Sequence, residues 1–346
     1  MSMCRIARIL CAAALCLPLA VPAAAERPRL AVLTDIGADP DDQQSMIRLM
    51  VYANEFDLEL LIATGAGAPG DLKAAITRLE LIRQIVDAYG EVLPNLQRHA
   101  AGWPTVESLR ERVISGNPHR GRQHVGAGHD TAASRALIAR IDAGTPDRPL
   151  NITVWGGQTD LAQALWRVKE DRGPAGLAGF VRRMRVYDIG DQDAIADWMR
   201  GEFPGMHYIL GKAPPGRDFR DAVYRGMYLT GDPSLTSRAW LDEHVRSRGP
   251  LGALYPTETW TAPNPHRSLK EGDTPSWFFF LPLGGNDPAD PSKPGWGGQF
   301  VREQDGWFRD PPAEPGKDPR DSVSRWRPDF QRDFAKRMTW CVPEKK

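Results

Sequence analysis

Asp35-Ile36-Gly37-Ala38-Asp39-Pro40-Asp41-Asp42 is the stretch that decides the fold. The apolar run Leu30-Ala31-Val32-Leu33 leads into it, and Met46, Ile47, Met50 and Val51 follow on one helical face. That order reads as strand, sharp acidic turn, helix. Four carboxylates at the carboxyl end of a first strand repel one another unless something positive sits among them. A hard divalent cation with oxygen ligands is their natural partner. In open α/β sheets this edge is where ligands bind. A purely local reading also exists, with Asp39 as N-cap, Pro40 as first helical residue and Asp41 and Asp42 favouring the helix dipole. It accounts for Asp39, Pro40 and Asp42 but leaves Asp35 and the adjacency of Asp41 and Asp42 unexplained.

Outward from this turn, strand and helix patterns alternate. Strands are expected over 30–36, 58–64, 151–155, 184–189 and 207–210. Helices are expected over 41–55, 71–89, 105–114, 131–142, 159–169 and 193–200. Alternation of this kind predicts an α/β fold: a mostly parallel open sheet with helices on both faces. Order weakens beyond residue 211. A helix is expected over 235–246, an apolar strand over 277–281 and an amphipathic helix over 326–340, while 282–322 is rich in Gly, Pro and Asp with little periodicity.

The chain has 346 residues, with 44 Lys+Arg against 44 Asp+Glu. No basic block or aromatic-basic interleaving points to nucleic acid. Residues 1–25 read as a secretory signal: Arg5 and Arg8, an apolar run over 9–20, then Ala23-Ala24-Ala25. The apolar part is too short to span a bilayer. The expectation is a single domain over 26–346, periplasmic or secreted, without membrane insertion. Cys4, Cys11 and Cys16 fall within the signal, which leaves Cys341 without a disulfide partner.

Three further segments follow strands. Gly156-Gly157-Gln158-Thr159-Asp160 offers glycines that let backbone approach a ligand, or a plain turn capped by Thr159. Asp191-Gln192-Asp193 carries groups for sugar hydroxyls, or caps for the next helix. Glu271-Gly272-Asp273-Thr274-Pro275 is placed to bring a late carboxylate to the first turn. His119, His124 and His129 lie in a loop with Arg120 and Arg122. Their spacing does not match a helical metal pair, so they read as a solvated loop or as a lid bearing a proton donor. There is no G-x-S-x-G elbow, phosphate loop or dinucleotide fingerprint.

The first turn resembles that of the nucleoside hydrolases, whose opening motif is D-x-D-P-G-x-D-D. More closely, the mature chain is similar to the nucleoside-hydrolase-like domain of cellulose-binding proteins. The resemblance rests on Thr34-Asp35-Ile36-Gly37 through Asp41-Asp42-Gln43-Gln44-Ser45, Val154-Trp155-Gly156-Gly157, Leu254-Tyr255-Pro256, Glu271 through Ser276, Gly295-Trp296-Gly297-Gly298, Val323 through Arg327, and Trp340-Cys341. It implies a nucleoside-hydrolase-like sheet and a calcium ion at the bottom of the cleft. By position, Asp35, Asp42, Thr159 (through its carbonyl) and Asp273 fall to the metal. Gly37 stands where the family has its second aspartate, metal ligand and base, and Asp39 stands two residues later. Asp39 and Asp41 are therefore the expected catalytic acids. Gln192, Asp193, Glu271 and Trp296 are the expected substrate contacts.

The resulting expectation is a calcium-dependent hydrolase of glycosyl bonds, acting on a small sugar or polysaccharide. The alternative is a non-catalytic carbohydrate-binding protein that keeps the metal and stacks tryptophans such as Trp260, Trp277 and Trp296 on sugar rings.

Overall fold

The computed structural model describes residues 26–37, 39–66, 76–259, 267–312 and 314–343. The expected signal over 1–25, residues 71–75 of an expected helix, and Trp260 lie outside this set. Eight strands form one sheet: β1 (Arg29–Thr34), β2 (Asp57–Ala63), β3 (Val113–Ser115), β4 (Leu150–Val154), β5 (Met184–Ile189), β6 (His207–Gly211), β7 (Val301–Arg302) and β8 (Phe308–Arg309). Their order is β3-β2-β1-β4-β5-β6-β8-β7, parallel throughout except for the β7–β8 pair. The expected open α/β sheet is present.

Side-chain alternation explains the layers. Leu30 and Val32 of β1 face one core with Met46, Ile47 and Trp277. Ala31 and Leu33 face the other, with Leu137, Leu161 and Val186. A strand buried on both sides reads as a continuous apolar run, and β1, buried along its whole length, is apolar from Leu30 to Leu33 between Arg29 and Thr34. Helices α1 (Asp41–Met50) and α2 (Leu79–His99) lie over the first face, and α4 (Ala132–Asp142) and α5 (Gln158–Val181) over the second, with the short α3 (Val106–Arg110) preceding β3. Strand β1 pairs with β2 on one side and β4 on the other, so the chain reverses its winding direction there. The carboxyl ends of β1 and β4 consequently frame a crevice.

Four expectations change in detail. The helix expected over 71–89 begins at Leu79 and continues to His99. The one expected over 105–114 ends at Arg110, and Val113–Ser115 instead adds an edge strand beside Leu61–Ala63. Helix α6 (Ala196–Glu202) precedes β6, and the apolar strand expected over 277–281 is instead the end of a short helix, α7 (Thr274–Phe278), and the turn that leaves it. Its aromatic run is buried on every side, so periodicity carried no signal, and Pro275 sits in the first turn where its missing N–H costs nothing. Within 282–322 the chain forms β7 and β8 and extends the sheet. The terminal helix α8 (Arg327–Thr339) buries Phe330, Phe334 and Met338, as its pattern suggested. Cys341 is a free, buried thiol that burial pushes up to about 12. Among the described residues, no helix is long and apolar enough to cross a membrane.

Candidate metal and saccharide cleft

A cleft of 440 Å³ opens at the carboxyl edge of the sheet, with Asp35, Asp39, Asp41, Asp42 and Asp273 on its floor. Strand β1 delivers Asp35, and the first turn of α1 delivers Asp41 and Asp42. Asp273 arrives from far along the chain, just before α7. Carboxylate oxygens of Asp41, Asp42 and Asp273 all lie within 4.8 Å of one another. Among the described residues no other group of three acids, histidines or cysteines converges this way.

Electrostatics make this trio uncomfortable by itself. Burial pushes the Asp42 carboxyl well above its ordinary range, and the neighbouring charges of Asp273, Asp35 and Asp41 push it further. Asp273 is likewise raised, first by burial and then by Asp41 and Asp35, with Lys270 pulling the other way. Thr34 Oγ1 donates to Asp42 Oδ1. Asp273 Oδ2 is buried and has no hydrogen-bond partner. An unsatisfied buried acceptor beside two other acids is an arrangement that a cation would complete. All-oxygen donors of this kind fit a hard dication such as calcium.

The outer floor is neutralised from within the chain. Arg120 Nη2 donates to Asp35 Oδ2, and Arg120 Nε donates to the Gly65 carbonyl at 2.9 Å. Burial nevertheless pushes Asp35 up to about 6. Lys270 Nζ donates to Asp39 Oδ2 and lies 3.3 Å from Asp41 Oδ2. Burial lowers the lysine's proton affinity, but Asp41, Tyr228 and Asp39 outweigh it and carry Lys270 above the usual ammonium range.

The profile of the nucleoside hydrolase-like domain of cellulose-binding Sde182 matches residues 29–300. The chain belongs to that family. A solved nucleoside hydrolase-related hypothetical protein from Saccharophagus degradans, described as associated with carbohydrate metabolism, superposes with a TM-score of 0.75 at 33% identity. The match covers 92% of this chain and 73% of that one. No curated protein matches the chain. The fold is nucleoside-hydrolase-like, as the opening motif implied.

Other family positions resolve unevenly. Gln192 lines the cleft, and its Nε2 donates to the Trp155 carbonyl at the end of β4. Thr159 lies outside the trio: its amide and hydroxyl both donate to Asp193 Oδ2, at 2.8 and 2.6 Å. Asp193 therefore caps α5 rather than facing the cleft, and Asp191 Oδ1 caps α6 through Ile195 and Ala196 at 3.0 and 2.9 Å. Glu271 is fully buried against Arg48 and is no part of the cleft wall. Trp296 packs on Phe278 and Phe330, and Trp277 is wholly buried, so neither offers a ring to a sugar in this cleft. His119 and His124 stack at 4.7 Å with His129 edge-on at 6.0 Å from His124, and none of the three lines the cleft. Missed entirely were Lys270 and the wall formed by Phe219, Tyr224, Arg225 and Tyr228. Phe219 to Tyr228 lie well beyond the end of β6 at Gly211 rather than in the turn that leaves it, and the available signal was a cluster of aromatic and basic residues over 217–228.

Proposed function

We propose that the cleft is a calcium-dependent saccharide site whose reaction is hydrolysis of a glycosyl bond. The carrying observation is the convergence of Asp41, Asp42 and Asp273 within 4.8 Å, with one Asp273 oxygen buried and unpartnered. A bound dication would satisfy that oxygen, orient sugar hydroxyls and lower the pKa of a water molecule. Asp42 and Asp273, both buried, would hold the ion. Asp41 is more open, with a side chain 17% exposed, and accepts the proton of the attacking water. Lys270 beside it stabilises the carboxylate between turnovers. Asp39, the base expected from position, is tied to Lys270 and serves to orient that ammonium. Gln192 presents its amide to sugar hydroxyls. The family's cellulose-binding description favours a saccharide over a nucleoside, and an exported protein meets polysaccharide directly.

A second reading is favoured by one specific feature. Gly37 replaces the acid that activates water in the wider family, and the nearest substitute is occupied by Lys270. In that reading the ion clamps the sugar without cleaving it.

Calorimetric titration with calcium, followed by incubation with oligosaccharides with and without chelator, tests both. Calcium binding is expected for the wild type, with affinity falling by about tenfold or more in D273N, as for loss of a charged ligand. Chelator-sensitive release of reducing sugar supports hydrolysis. Saccharide binding without release supports the clamp. A flat calcium titration of the wild type sinks both.

A further inference from the structure

Arg225 sits in the cleft wall, in a turn of 3-10 helix over Val223–Met227. Every other cation lining the cleft has a carboxylate. Lys212 pairs with Asp191 at 2.7 Å, Arg217 with Asp221 at 2.9 Å, and Lys270 with Asp39 and Asp41. Arg225 forms no ion pair with a carboxylate among the described residues; its Nη1 donates to Tyr228 Oη, and its Nε is buried with no hydrogen-bond partner. The guanidinium carbon lies 5.0 Å from the ring centres of both Phe219 and Tyr224. A half-buried guanidinium in a cleft wall, without a carboxylate partner of its own, is open to an anionic group on a ligand.

The turn that carries Arg225 is fixed in place. Val223 N–H donates to the buried Asp310 Oδ2 at 2.7 Å, and Arg327 Nη2 donates to the Gly226 carbonyl at 2.6 Å. A Cβ on Gly226 would come within 2.1 Å of the Arg320 carbonyl oxygen, so this backbone is clamped on its far side as well. The fork is thus preorganised before ligand arrives. At the cleft wall Phe219 is 62% exposed, which leaves an apolar face free for a sugar ring.

We propose that Arg225 is the specificity-determining residue of the cleft and pairs with the carboxylate of a uronic acid, so that the preferred ligand is an acidic saccharide. The inference rests on the saccharide-site reading above and deepens it. A guanidinium takes a carboxylate through charge-assisted N–H donors, and Arg225 in the cleft wall donates from Nη1 to Tyr228 Oη and to no carboxylate among the described residues. The acids of the floor meet the hydroxyls of the same sugar, directly or through the ion, while the carboxylate lies toward the Tyr224–Tyr228 wall.

The test compares three tetrasaccharides by calorimetry on the full chain in calcium: a tetragalacturonate, its methyl ester and a sulfated cellotetraose. The methyl ester keeps the shape and removes the charge. Wild-type protein is expected to bind the acid about tenfold or more tightly than the ester, the range of a charge-assisted pair. R225Q is expected to erase that ratio while leaving calcium affinity unchanged. Equal affinity for acid and ester overturns the assignment, as does failure to bind either. Tighter binding of the sulfated ligand overturns the choice of carboxylate. If R225Q does not fold, the acid-to-ester ratio of the wild type decides alone. Equal acid and ester binding in a protein that still takes calcium removes only the role of Arg225, whereas an absent calcium response removes the underlying site.

Discussion

Glu271 stands two residues from Asp273 yet does a different job. Its carboxylate accepts from Arg48 Nε at 2.5 Å and Nη2 at 3.1 Å, from Thr274 Oγ1 at 3.1 Å, and from the Tyr255 hydroxyl. Arg48 in turn lies 3.8 Å from the Phe334 ring centre and donates to Gln331 at 2.6 Å. Both partners are fully buried. Removing one partner of such a pair leaves an uncompensated charge, so E271Q is expected to cost about 3 kcal/mol or more in urea unfolding. Calcium affinity of the folded fraction should be unchanged. A stable E271Q that had lost saccharide binding would return Glu271 to the ligand. The sequence held one clue to this role: Arg48 interrupts Met46, Ile47, Leu49 and Met50, where an arginine must find a buried anion. Asp41, Asp42 and Asp273 were legible because three acids beside strand and turn signals have few other uses. Arg225 was not, because an unpaired arginine looks like any other until its neighbours are known.

At the scale of elements, the corner from β4 into α5 is the tightest part of the site. Gly157 has φ of +87° and is the N-cap of α5. A Cβ there would lie 2.2 Å from Thr64 Cγ2. At Gly156 it would lie 2.7 Å from Asp35 Cγ. G157A therefore combines left-handed strain with a clash, and we expect a loss of about 2 kcal/mol or more, read as a lowered melting temperature. A wild-type melting temperature for G157A would mean that β4 and β2 are looser than their packing implies. The glycine pair announced the turn in the sequence, but not what pressed against it. Elements with two-sided burial or repeated helical spacing were legible: β1, β4, β5 and α8 all fall where the pattern put them. Residues 277–281 and 113–115 were not. In the first, uniform burial erased any period, and in the second, Val113 and Ile114 became a strand only because β2 offered an edge to pair with.

For the whole molecule, Asp310 links the far end of the sheet to the cleft. It follows β8, and its Oδ2 accepts the Val223 amide that starts the Arg225 turn. Burial pushes its carboxyl up to about 7, against the opposing pull of backbone donors at Val223 and Lys212. The unfolded chain releases this proton near pH 4, the folded one near 7. Between those values the native state holds a proton that the unfolded state has lost, so the group's contribution is complete below about pH 4 and declines as pH rises to about 7. Wild-type melting temperature is expected to fall more steeply than that of D310N between about pH 5 and 7, measured by calorimetry. Parallel profiles for the two proteins would show that Asp310 ionises normally.

The sequence by itself determined the parallel α/β sheet, the family, and the acidic corner with its late aspartate. These follow from short-range facts: two-sided burial writes apolar runs, helices write a 3.6-residue period, and clustered acids at a strand end need a counter-charge. Tertiary structure alone decided which acids converge and which are already satisfied. Asp35 went to Arg120, Asp39 to Lys270, Glu271 to Arg48 and Asp193 to Thr159, leaving Asp41, Asp42 and Asp273 together. Pairing between residues 34 to 231 positions apart depends on where whole elements dock, and no local pattern records it.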